Sequence, residues 1–85
     1  MECKVLFVKK DDPTIEKISE YKGSTYSSIL KQCTTRFDPK EYFISSIVNV
    51  DRSKGFDIHG IDLNLEENSA IKMNIEKLGY LIYKK

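Results

Sequence analysis

The end of the sequence, NSAIKMNIEKLGYLIYKK, fits two secondary structures, and the choice between them decides the fold. Ile71, Met73 and Ile75 alternate with polar residues, which is the period of a strand. Ile71, Ile75 and Leu78 also lie at helical spacing, and Gly79 follows where a helix would end. Each reading leads to a different architecture for the whole chain.

The length and charge of the chain limit the architectures and functions that it can have. Its 85 residues predict a single domain, residues 1–85, of the α+β class. No apolar run exceeds four residues, so we expect neither a membrane span nor a signal peptide. The net charge of +1 combines 14 basic and 13 acidic side chains, whereas a dedicated nucleic-acid binder usually carries a clear basic excess. Cys3 and Cys33 have no CxxC spacing, which favours reduced thiols in a cytoplasmic protein.

Residue usage bears on the source of the chain. Phe, Tyr, Met, Ile, Asn and Lys total 37, whereas Gly, Ala, Arg and Pro total 9. The first group has AT-rich codons and the second has GC-rich codons. The usage is typical of an AT-rich genome, such as that of a low-GC bacterium, a phage, a virus or certain protists.

Four elements can be placed along the chain before the tail. Residues 24–37 predict a helix that is capped by Ser24 and that ends before Pro39. Its apolar face holds Tyr26, Ile29, Leu30, Cys33 and Phe37. Residues 3–10 predict a central strand, and residues 41–51 predict another strand. Residues 56–65 predict an irregular edge strand followed by a loop.

The segment around residues 15–22 has two interpretations. Ile15, Ile18 and Tyr21 are spaced by three, which favours a short helix capped by Asp12. A second strand that forms a hairpin with residues 3–10 explains the same residues equally well.

If the tail forms a strand at 69–76, the order of elements resembles the ubiquitin-like β-grasp fold. The resemblance rests on the hairpin, on the helix that opens after GST, on the DP that follows it, and on LEENSAIKMNIE as a loop into a closing strand. It implies a mixed sheet of four to five strands with one main helix packed across it. The closing strand would lie parallel to the first strand. The chain ends in YLIYKK and not in a di-glycine, so conjugation through the terminus is not implied.

If residues 66–78 form a helix, the order becomes the ferredoxin-like βαββαβ fold. LFVKK and KGFDIHGI then loosely resemble the two short motifs of an RNA recognition motif. The resemblance implies single-stranded RNA or DNA bound by stacking on Phe7 and Phe56, with Lys54 among the flanking lysines.

Local physics favours the strand for residues 69–76. Asn68, Ser69 and Asn74 are weak helix formers, and a helix here would have a narrow apolar stripe. We therefore predict the β-grasp architecture, with the ferredoxin-like fold as the alternative.

The sequence contains no constellation that indicates catalysis. His59 is the only histidine, and Asp57 and Asp62 lie near it without the spacing of metal ligands. There is no glycine-rich phosphate loop and no second histidine. We expect a protein that is not an enzyme and that has no cofactor and no metal site.

These patterns favour a small protein-interaction module that acts as an adaptor, regulator or inhibitor. Tyr80 to Tyr83 would form an added edge strand of the sheet with exposed tyrosine rings, which suits a protein partner or a homodimer formed through this strand. The predicted contact residues are Tyr80, Leu81, Tyr83, Lys84, Lys9 and Lys10. Single-stranded nucleic acid is the alternative partner, and no membrane partner is expected.

Overall fold

The fold is of the α+β class, with a four-stranded antiparallel sheet and two helices among the described residues. The structure is a computed structural model that describes residues 1–51 and 57–84, with the backbone alone at residues 51 and 57–59. Its elements in chain order are β1 (Glu2–Lys9), β2 (Glu16–Lys22), α1 (Tyr26–Arg36), β3 (Tyr42–Asp51), β4 (Asp57–Ile61), a 3₁₀ turn (Glu66–Asn68) and α2 (Ser69–Lys77). None of the helices in the described ranges is long and apolar enough to cross a membrane.

The sheet has the strand order β2-β1-β3-β4, and each neighbouring pair is antiparallel. β1 is therefore central, as the apolar run in residues 3–10 predicted. The register between β1 and β3 shifts at Leu6 and Phe7, where β3 contains an irregularity. This shift keeps Val5 and Phe7 of β1 on the same face as Ile47 and Ile44 of β3, towards the helices.

Residues 16–22 form the second strand of a hairpin and not a helix. In the turn before β2, the Asp12 carboxylate accepts hydrogen bonds from the backbone N–H of Thr14 at 3.1 Å and from its hydroxyl at 2.6 Å. Asp12 therefore closes a turn and caps no helix. All seven residues of β2 pair with β1 in the sheet. A helix of the same length would form fewer backbone hydrogen bonds, because the groups at its ends have no partners within it.

The predicted first helix is confirmed, with its start one residue later than expected. Thr25, rather than Ser24, is the N-cap, and its hydroxyl accepts a hydrogen bond from the N–H of Ser28 at 3.1 Å. The predicted face packs on the sheet, because Ile29, Leu30 and Cys33 are buried.

The predicted closing strand at 69–76 is wrong, since these residues form α2. Ile75 is fully buried whereas Met73 is 63% exposed, a difference that a strand with both residues inward would not allow. The helix ends in a Schellman motif: the N–H of Gly79 donates to Glu76 O at 3.0 Å, and the N–H of Tyr80 to Ile75 O at 3.2 Å. Gly79 has a φ of +95°, which a residue with a side chain rarely adopts.

The observed order of elements, ββαββα, differs from both predicted orders. The β-grasp prediction is not confirmed, because β1 has antiparallel neighbours on both sides and no parallel closing strand among the described residues. The ferredoxin-like order is not formed either, because its second element would be a helix and β2 is a strand. The coarser prediction of an α+β chain with four strands is confirmed.

The core lies between the sheet and the two helices. β1 contributes Cys3, Val5 and Phe7 from one face, and β3 contributes Ile44 and Ile47. Members from the helices and the tail complete this core: Ile29, Leu30, Cys33, Ile75 and Tyr80. The opposite face of the sheet carries no helix among the described elements, although Val8 and Val50 on that face are also buried.

Candidate functional site

The segment after α2, which we call the tail (residues 80–84), returns to the sheet beside β3. Ile44 and Ile82 form a parallel bridge, with the N–H of Ile44 donating to Leu81 O at 3.1 Å and the N–H of Tyr83 donating to Ile44 O at 2.9 Å. β1 already pairs with Ile44 on the other side, so the tail lies on the same edge of β3 as β4. The predicted added edge strand is reduced to this one bridge.

Tyr80, a predicted contact residue, cannot touch a partner because it belongs to the core. Its side chain is fully buried, and its ring lies 6.1 Å from that of Phe7. Its hydroxyl donates a hydrogen bond to the backbone carbonyl of Phe37. Tyr80 therefore anchors the tail, and the residues after it face outward.

Leu81, Tyr83 and Lys84 remain accessible at the surface. Leu81 is 58% exposed, Lys84 is exposed and Tyr83 is partly buried. A groove beside the tail has Phe43, Leu81 and Lys84 among its lining residues, and Lys72 and Glu76 of α2 also line it.

Phe43 links the tail to the other end of the predicted contact set. Its ring centroid lies 5.6 Å from that of Tyr83, and the Lys10 Nζ lies 5.4 Å from the Phe43 centroid. The second contact has the geometry of a cation–π interaction. Lys10 and Tyr83 are 73 residues apart in sequence, counted as 83 minus 10, and Phe43 brings them to one surface.

Lys9 does not join this surface. It pairs in register with Tyr42, on the face of the sheet that packs against the helices, whereas Lys10 follows it on the opposite face. We define the tail surface as Lys10, Phe43, Leu81, Tyr83 and Lys84. Phe43 was missed in the sequence, although its place directly before the buried Ile44 marks it as outward-facing.

Phe7, a predicted base-stacking residue, is unavailable for that role. Its ring is fully buried and stacks on Phe37 at a centroid distance of 4.1 Å. Phe56 and Lys54, the other predicted nucleic-acid contacts, lie outside the described residues. The side chain of His59 also lies outside them.

The two cysteines are buried thiols within the core. Burial raises the pKa of Cys3, and it raises the pKa of Cys33 to about 11. A thiol is a poor nucleophile when it stays protonated, so neither cysteine is suited to covalent chemistry at neutral pH.

The raised pKa of Cys33 predicts a loss of stability in alkali. An unfolded thiol ionises near pH 9 and the folded one near pH 11, so the unfolded state holds fewer protons between these values. Stability is therefore fully present below pH 9 and falls as the pH rises towards 11, by about 2 kcal/mol from this group. Urea unfolding at pH 8 and near pH 11 measures the loss. The free energy of unfolding of Cys33→Val should fall less between these two pH values than that of the wild type. An equal fall in both proteins would contradict the raised pKa of Cys33.

Comparison of the chain with known proteins identifies no relative. No protein-family model, no curated protein and no solved structure matches the chain.

Proposed function

We propose that the protein is an interaction module that binds a segment of a partner protein on the tail surface. The observation that carries this proposal is the partly exposed Phe43–Tyr83 ring pair with Lys10 against it. Aromatic rings that are partly buried and held by the fold are typical of binding hot spots, because little side-chain entropy is lost when a partner covers them. The protein would act as an adaptor, a regulator or an inhibitor.

The chemistry of the tail surface favours a partner segment that is apolar and acidic. Leu81 and the two rings offer apolar area, whereas Lys10 and Lys84 offer positive charge at its margin. Carboxylates at the rim of such a contact would speed association and fix its orientation. The ubiquitin-like resemblance supports an interaction role only through the order β1–β2–α1, which a β-grasp fold shares.

The experiment compares pull-downs with Tyr83→Ala and with Met73→Ala as a matched control. Both residues are at the surface, but Met73 lies on α2 outside the tail surface. A partner that binds the tail surface should bind Tyr83→Ala roughly 30-fold more weakly, a typical hot-spot effect, and should bind Met73→Ala unchanged. Titration of the purified partner gives both affinities. A partner that loses affinity equally for both variants, or for neither, would contradict the proposed site.

A second candidate function is the binding of single-stranded nucleic acid on the same surface. The ring pair and Lys10 provide a stacking platform with a cation beside it, which is the usual arrangement for unpaired bases. Titration with a mixed single-stranded oligonucleotide at two salt concentrations tests it. Binding that weakens steeply with salt and is lost in Tyr83→Ala would favour nucleic acid, whereas no binding at low salt would leave the protein partner.

A further inference from the structure

The outer edge of β2 is the longest strand edge that the described part of the fold leaves unpaired. β2 is the first strand in the order β2-β1-β3-β4, so only β1 pairs with it. An unpaired edge presents backbone N–H and C=O groups that another strand can bind.

The hydrogen bonds at both ends of the hairpin show which backbone groups face this edge. The N–H of Gly23 donates to Met1 O at 3.1 Å, and the N–H of Lys9 donates to Ile15 O at 3.1 Å. Hydrogen-bonded and non-bonded pairs alternate in an antiparallel ladder, so the odd-numbered residues of β2 bond to β1. The outward-facing groups therefore belong to the even-numbered residues Glu16, Ile18, Glu20 and Lys22. In agreement, the Lys22 carbonyl accepts a hydrogen bond from Gln32 Nε2 at 2.8 Å, which leaves its second lone pair available.

The side chains of the same four residues lie on the face of the sheet without helices. Ile18 is in the middle of this row and is 69% exposed, next to its half-buried register partner Leu6. Natural edge strands carry charges to prevent pairing, and β2 has Glu16, Glu20 and Lys22 in this row beside Ile18. A strand that pairs with this edge must therefore cover Ile18 and also match these charges.

We propose that β2 pairs antiparallel with β2 of a second copy of this chain, about a two-fold axis at Ser19. The pairing would join the two sheets into one continuous sheet. Ser19 is the middle residue of Glu16–Lys22, so this register overlaps the whole strand with itself.

Charge selects the same register. With the axis at Ser19, Glu16 lies opposite Lys22 of the second copy, and this pair occurs twice by symmetry. Moving the axis to Ile18 would place Glu16 opposite Glu20, and moving it to Glu20 would place two Glu20 residues opposite each other. Like charges directly opposite are destabilising, so the fully overlapped register is also the complementary one.

Two other contacts in this register work against the pairing. The Lys22 ammonium already lies 3.5 Å from the Glu2 carboxylate of its own chain, so two carboxylates would share it, and the Glu20 residues of the two copies become diagonal neighbours of like charge.

Glu20 lies opposite Ile18 of the second copy, and its carboxylate is already 3.5 Å from the Lys4 ammonium of its own chain. The Ile18 side chains of the two copies become diagonal neighbours, about 7–8 Å apart by the geometry of paired strands. Together with Leu6 of each copy they form an apolar strip across the joint.

This proposal goes beyond the proposed function and uses a different surface. β2 lies at one side of the sheet and the tail lies beside β3, with β1 between them. A dimer would therefore carry two tail surfaces, both free to bind.

The first test is sedimentation velocity of the full chain over a wide concentration range, with Glu16→Lys and with the double variant Glu16→Lys/Lys22→Glu. The wild type should associate into a dimer. Glu16→Lys places like charges opposite each other twice and should weaken the dimer by roughly tenfold or more. The double variant restores opposite charges and should recover the wild-type affinity to within a few-fold. A wild type that stays monomeric at every concentration, or a double variant no tighter than the single one, would overturn the proposal.

The second test is Ile18→Pro, with circular dichroism as the measure of folding. The N–H of Ile18 points away from β1, so proline removes an edge donor and leaves the hairpin bonds in place. We expect a folded monomer. A folded variant that still dimerises like the wild type would place the interface elsewhere and overturn the proposal. If the fixed φ of proline prevents folding, the charge-reversal variants alone decide the proposal.

Discussion

Ile75→Asp should unfold the protein, and Met73→Asp should leave its stability nearly unchanged. Ile75 is fully buried under the sheet, so an aspartate there loses the apolar contacts and places a charge without a partner in the core. The combined cost is at least about 4 kcal/mol, a large part of the roughly 5–10 kcal/mol that stabilises a domain of this size. Met73 is 63% exposed on the outer side of α2, where a substitution typically changes stability by less than about 0.5 kcal/mol.

Chemical denaturation followed by circular dichroism measures both variants. The pair is a direct test of α2, because a strand would turn residues 73 and 75 to the same side. Equal destabilisation by the two substitutions would contradict the helix and would restore the strand. A helix predicts that the two free energies of unfolding differ by several kcal/mol.

Tyr80→Ala is the second substitution with a large expected effect. Tyr80 is the largest of the fully buried side chains among the described residues, and it contacts the aromatic cluster around Phe7. Truncation to alanine should lower the free energy of unfolding by about 3–5 kcal/mol, as for other buried aromatic residues. The matched control is Tyr80→Phe, which keeps the ring and removes only the hydroxyl that donates to Phe37 O. Its expected cost is about 1–2 kcal/mol, because one buried carbonyl loses its donor.

Urea titrations of the wild type and both variants give the three free energies. A Tyr80→Ala variant as stable as the wild type would show that the tail does not anchor the core. Equal losses in the two variants would show that the hydroxyl, and not the ring, provides the anchor.

The role of Tyr80 decides how the tail surface can be tested. A chain that ends at Leu78 would lose Tyr80 and Ile82, which both pack on the core, so it should not fold. Loss of a partner by such a truncated chain would report unfolding and not the position of the interface. Single substitutions at Tyr83 or Lys10 avoid this problem, since neither residue is among those that form the core.

Several elements could be predicted from local pattern alone. Residues 26–36 have one apolar stripe, a capping residue before it and Pro39 after it, and each signal agrees with the others. The apolar run in β1 predicted a central strand, and β3 was predicted nearly to its observed ends. Lys10, Leu81, Tyr83 and Lys84 of the tail surface were also predicted as contact residues. Phe43 was missed, because alternation along β3 indicates only that it faces outward, whereas its contacts with Tyr83 and Lys10 depend on the tertiary structure.

Two segments, β2 and α2, carried signals for both helix and strand. The sequence by itself determined an α+β chain with a buried first strand and one firm helix, because those signals depend only on neighbouring residues. Only the tertiary structure decided that residues 16–22 pair with β1 and that residues 69–77 coil. The physical reason is that both choices depend on distant contacts: β2 gains a full ladder on β1, and α2 gains a buried Ile75 and a capped end that turns Tyr80 into the core.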